Sequence, residues 1–131
     1  MNELPTPLST DHAVKLDRLA ETAVRVGLNL RKGQEVVMTA PVEALDLARR
    51  VTEHAYRAGA SLVTVILGDE QQALARYKYA SSDSFDVAPG WLYGGMAEAF
   101  KAGAARLAIY GEDPMLLAEQ DPDKVSRANR A

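Results

Sequence analysis

Cysteine is absent from the 131-residue sequence. Disulfides, thiol nucleophiles and zinc–thiolate sites are therefore excluded together. Histidine is nearly as scarce. His12 and His54 are the only two, too few for a histidine-rich metal site built from this chain alone. Positive charge is not in excess either: 15 basic against 18 acidic residues leave a formal charge of −3. A general nucleic-acid binder needs a positive field to hold a phosphate backbone, so that class is excluded. No stretch approaches the roughly 20 apolar residues that cross a bilayer. Met1–Pro5 has neither the basic start nor the apolar core of a secretory signal. The expectation is a cytoplasmic protein with no membrane partner.

What is present is an ordinary globular balance, 47% hydrophobic and 25% charged, in a length that suits one domain. Residues 1–10, with Pro5 and Pro7, read as a loose arm. Thr10 or Asp11 then offers a helix N-cap. Leu16, Leu19, Ala20, Ala23 and Val24 follow the spacing of one helix face. Gly27 sits where a left-handed residue would end that helix. Arg31-Lys32-Gly33-Gln34 predicts a turn into a strand over 35–39. Pro41 is placed to open a second helix, carrying Ala44, Leu45, Ala48, Val51 and Ala55 and ended by Gly59. Ser61–Leu67 is apolar on both alternating faces and β-branched, which predicts a strand buried on both sides.

Asp69 and Gln72 form a capping pair for a third helix reaching about Ala80. A Ser/Asp-rich loop covers 81–87, and Pro89 opens a fourth helix with Trp91, Leu92, Met96, Ala99 and Phe100. Gly94-Gly95 within it reads as close packing or a break. Gly103 ends it, and 106–110 forms a third strand. Gly111-Glu112-Asp113-Pro114 follows, and Asp121-Pro122 announces a last helix that runs to Ala131. Strands alternating with helices predict parallel pairing. The expected class is α/β, three-layer, with a mostly parallel sheet of three visible strands flanked by helices. So few strands for such a sheet, together with a last helix that lacks a stop signal, lead to the expectation of an incomplete N-terminal domain of a longer chain.

Chemistry is sparse. Ligands of open α/β sheets sit beyond the carboxyl ends of the strands. There the sequence places Asp69, Glu70, Glu112 and Asp113, four carboxylates that could in principle hold a divalent cation. Helix capping and solvated loop charge explain them more simply. No Gly-x-Gly-x-x-Gly, no phosphate-binding loop and no Gly-x-Ser-x-Gly occurs. His54 lacks the second histidine of a His-Glu-x-x-His site and is expected to be structural or solvent-facing. His12, at a helix start, is assigned no chemistry. Arg76-Tyr77-Lys78-Tyr79 mixes basic and aromatic residues, as single-stranded nucleic acid would want. On a helix the four do not share a face, so one tyrosine is expected to pack while its neighbours reach solvent. Lys124, Arg127 and Arg130 form a basic stripe, read as a solvated face.

One resemblance joins these pieces. Leu16-x-x-Leu19-Ala20-x-x-Ala23-Val24 leads to Gly27-Leu28-Asn29-Leu30 and Gly33-Gln34. Then come Ala58-Gly59-Ala60, Ala88-Pro89-Gly90-Trp91, Ala102-Gly103-Ala104-Ala105, Gly111-Glu112-Asp113-Pro114 and Asp121-Pro122 with its helix. In order and spacing the sequence over 11–131 resembles the N-terminal region of the thermophilic-type metalloaminopeptidases, metallopeptidase family 29. The resemblance implies exopeptidase hydrolysis by metal-activated water. It also implies a larger C-terminal catalytic domain that binds two divalent ions (cobalt, zinc or magnesium). The ligands there would be glutamates, histidines, a tyrosine and an aspartate. None of those positions has a counterpart in this sequence. No catalytic residue, no cofactor-binding residue and no metal ligand is therefore assigned within it. The implied partners are that catalytic domain, a peptide substrate and a second copy in a homodimer. The competing reading is a free-standing Rossmann-like or flavodoxin-like module for a small anionic ligand, held at helix N-termini. A phosphate-accepting receiver domain is set aside, because the expected strands end in Thr39, Leu67 and Tyr110 rather than aspartate.

Overall fold

The computed structural model describes residues 10–110. Four helices and three strands are arranged as α1 (Thr10–Thr22), β1 (Glu35–Pro41), α2 (Leu45–Arg57), β2 (Leu62–Gly68), α3 (Glu70–Tyr79), α4 (Gly90–Lys101) and β3 (Ala105–Ala108). The sheet has the order β2-β1-β3 and both pairs are parallel. This is the α/β class expected from the alternation of elements. The Gly111–Pro114 segment, the helix after Asp121-Pro122 and the Lys124/Arg127/Arg130 stripe lie outside the described residues.

The core forms on one face of β1. The strand's period of two sends Val36, Met38 and Ala40 to the same side, where all three are buried. Ala20 and Val24 meet them from α1 and the turn after it, and Ala48, Val51 and Ala55 meet them from α2. Val63 and Val65 of β2, with Ala105 and Leu107 of β3, extend this layer. Small residues on the helices let them approach the sheet closely. The larger side chains come from both layers, Val36 and Met38 from β1 and Val24 and Val51 from the helical side, and each contributes about 1.5–3 kcal/mol on burial.

Several local expectations are corrected. Gly27 does not end the first helix. The helix widens into a π turn over Ala23–Leu28, and Asn29 takes the left-handed conformation (φ 47°, ψ 54°). Asparagine tolerates that region because its short polar side chain adds little steric cost. Pro41 does not open α2. It closes β1 with extended backbone (φ −72°, ψ 150°), and a 3₁₀ turn over Val42–Ala44 intervenes before Leu45. Beyond Thr39, β3 no longer pairs with β1, so a residue without an N–H can end the strand there.

Among the described residues, the strand expected to be buried on both sides lies instead at the edge of the sheet. β2 has exposed Leu62, Thr64 and Leu67, while β1, with Glu35 and Thr39 in it, occupies the centre. Composition marks a segment as strand; chain order in the sheet decides which strand is covered. The third strand begins one residue earlier than expected and ends at Ala108, although the Ile109 N–H still donates to Thr39 O (2.8 Å). Asp69 caps α3 as expected, but it accepts from the Gln71 N–H (3.0 Å), one residue short of the anticipated Gln72 partner. Gly59 (φ 105°) and Gly103 (φ 101°) do end their helices in left-handed backbone.

The stretch 81–87 is more ordered than a plain loop. Ser82–Asp86 forms a 3₁₀ turn that buries Phe85 completely. The Tyr77 ring stacks on Phe85 at 5.4 Å between centroids. The Arg76 guanidinium also lies over the Phe85 ring, 5.2 Å from its centroid, and donates to Ser84 O and Val87 O. One tyrosine of the Arg76–Tyr79 run therefore packs, and Tyr79 stands in solvent. That cluster fixes the connection between α3 and α4. α4 itself is continuous through Gly94-Gly95, and a Cβ on either would meet nothing within 4 Å. The two glycines mark neither a break nor a tight contact.

Candidate functional site

The carboxyl ends of the strands hold little chemistry. Asp69 spends its carboxylate on the Gln71 N–H, and Glu70 is buried and partnered at the start of α3. Glu112 and Asp113 lie outside the described residues, so the four-carboxylate rim is not assembled among them. His54 is buried on α2, and Asp17 Oδ1 of α1 accepts from its Nε2 at 3.1 Å. Arg50 reaches the same oxygen (3.5 Å) and Asp46 Oδ1 (3.4 Å). The histidine is structural: it holds two helices together through a carboxylate. Sequence reasoning missed this cluster because Asp17 is distant in sequence. The Asp46, Arg50, His54 row at i, i+4, i+8 was the readable half of it.

Among the described residues, two cavities are relevant to a site. The first, about 350 Å³, lies at the amino ends of the strands and is lined by the Arg31–Glu35 turn, Ser61 and the end of α4 near Gly103. Gln34 organises it. Its Oε1 accepts from the Arg31 N–H, and its Nε2 donates to Gly103 O, both at 2.9 Å. The helices α2 and α4 also end here, and helix carboxyl ends carry partial negative charge. Arg31 and Lys32 line the same opening.

The second cavity, about 290 Å³, separates α4 from the face of the sheet opposite the core. Val37, Thr64 and Ile66 line it from the strands, and Trp91, Leu92 and Met96 line it from α4. No residue of α4 is buried, and Trp91 is 81% exposed. A parallel sheet is ordinarily covered on both faces; here one face is packed and the other is roofed by a loosely seated, apolar helix. Chemically this is mainly a surface for apolar contact, with the Glu35 carboxylate and the Thr64 hydroxyl as the polar groups among its lining. The sequence listed Trp91 and Leu92 as a helix face, but nothing in the local spacing showed that they would stay exposed.

Comparison with known proteins bears on the whole of this architecture. A family model described as Thermophilic metalloprotease (M29) matches residues 12–131. The chain belongs to the thermophilic metalloprotease (M29) family. Aminopeptidase T of Thermus thermophilus is 57% identical to it over 116 residues, covering 88% of this chain and 28% of that protein. Aminopeptidase T of Thermus aquaticus is 53% identical over the same share of each. Aminopeptidase AmpS of Bacillus subtilis is 36% identical over 117 residues. The solved structure of wild-type AmpT from Thermus thermophilus superposes with a TM-score of 0.83 at 56% identity, covering 89% of this chain and 30% of that one. The M29 chain described here thus spans about 28% of the length of the curated relatives it matches, and the match falls in their N-terminal part.

A metalloprotease family implies metal ions. Among the described residues no group of three or more His, Asp or Glu side chains converges so as to hold one. The carboxylates nearest the strand tips cap a helix or are buried at its start, and the only buried histidine is bound to Asp17. Residues 10–110 do not fit a hydrolytic metal centre, and no catalytic step is assigned to a metal within them. Among these residues no helix is long and apolar enough to cross a membrane.

Proposed function

We propose that this chain is the N-terminal, non-catalytic α/β domain of a metal-dependent aminopeptidase that removes N-terminal residues from peptides in the cytoplasm. One observation carries the reading: a family match over 12–131 coincides with a span of only 28% of the related aminopeptidases. The lack of a converging ligand set among the described residues supports it. The two divalent ions, cobalt, zinc or magnesium, then belong to the C-terminal domain of the full-length protein.

The role of this domain is to wall one side of the catalytic cavity, to contribute to a homodimer and to exclude folded substrates. The exposed apolar face of α4 and the partly covered sheet support that role, because contiguous apolar surface of this kind marks a contact site. The test is hydrolysis of leucine p-nitroanilide with added cobalt or zinc. Full-length protein is expected to release the dye, and a polypeptide of residues 1–131 is expected to release none. Metal-dependent turnover by residues 1–131 would place the reaction centre in this chain and end the proposal.

A further inference from the structure

The outer edge of β2 has no neighbouring strand among the described residues. Such an edge presents a row of backbone donors and acceptors to any other strand. Natural proteins blunt it with charge, proline or a bulge, yet Leu62–Gly68 (LVTVILG) contains no charged residue and no proline. Its composition is that of a segment that pairs readily with its own copies: β-branched, apolar and neutral. One contact stands against this. The Val63 N–H donates to Tyr56 Oη at 3.0 Å, across from the end of α2. Strand groups alternate in direction with a period of two, so a Val63 N–H turned toward Tyr56 places those of Val65 and Leu67 on the same outer edge.

We infer that Tyr56 is an edge guard. Its hydroxyl occupies the first outward rung of β2, at the Val63 N–H. A second copy of this chain is thereby denied the rung from which strand addition would start. The inference does not depend on the aminopeptidase reading, because it concerns sheet chemistry and not catalysis.

The test uses the full-length protein. Hydrogen exchange is expected to be on the order of fivefold slower at the Val63 amide than at Val65 and Leu67, in keeping with one net hydrogen bond. Tyr56→Phe is expected to erase that difference. In sedimentation at rising concentration, Tyr56→Phe is expected to associate beyond the state of the unaltered protein. Adding Thr64→Lys, which puts a charge on the exposed strand, is expected to reverse this. A Tyr56→Phe protein that stays folded with unchanged association would overturn the inference. So would equal exchange at Val63, Val65 and Leu67 in the unaltered protein, a measurement that needs no variant to fold.

Discussion

His54 Nε2 and Asp17 Oδ1 stand 3.1 Å apart and join two helices across 37 positions of sequence. Arg50 shares the carboxylate at 3.5 Å. Loss of Asp17 therefore leaves the buried imidazole without this acceptor and the half-buried Arg50 guanidinium with Asp46 as its remaining carboxylate partner.

Asp17→Ala is expected to destabilise the domain by about 1–2 kcal/mol. Asp17→Asn, which keeps an acceptor oxygen, is expected to cost less. Urea unfolding of both variants checks this. A smaller cost for Asp17→Ala than for Asp17→Asn would show that the cluster does not act as an acceptor-centred clamp.

The core prediction separates two apolar residues of similar appearance in the sequence. Met38 is fully buried, whereas Val26 is 74% exposed on the π turn. Met38→Ala is expected to cost about 2–4 kcal/mol, and Val26→Ala less than about 0.5 kcal/mol. Equilibrium denaturation of the two variants measures the contrast.

Glycines divide in the same way. A Cβ on Gly59 would stand 3.3 Å from Lys32 Cα, on backbone with φ 105°. Gly59→Ala is expected to destabilise by more than about 1 kcal/mol, because left-handed strain and a backbone contact act together. Gly95 is helical and a Cβ there meets open space. Gly95→Ala is expected to stabilise by about 0.5–1 kcal/mol through helix propensity. Thermal unfolding of the two variants should move in opposite directions.

The proposed role is tested through selectivity. Deleting residues 1–131 from the full-length enzyme is expected to raise cleavage of long or folded polypeptides relative to dipeptides. The ratio of the two kcat/KM values is the readout. An unchanged ratio would remove this domain from any part in substrate exclusion.

Much of this protein was determined by its sequence alone. Periodicity placed all four described helices and all three strands, because local backbone preference and burial share the same period in each. The turn glycines Gly33, Gly59 and Gly103 were recognisable because left-handed backbone strongly favours that residue. The family was legible from an ordered series of short motifs. Tertiary structure alone decided the rest. Which strand lies at the centre depends on chain order in the sheet, so among the described residues the most hydrophobic strand, β2, is at the edge while β1 is buried. Whether Pro41 closes a strand or opens a helix depends on where β3 stops pairing. The Asp17–His54, Tyr56–Val63 and Gln34–Gly103 contacts each join separate elements, and no local spacing encodes a distance that exists only after the chain has packed.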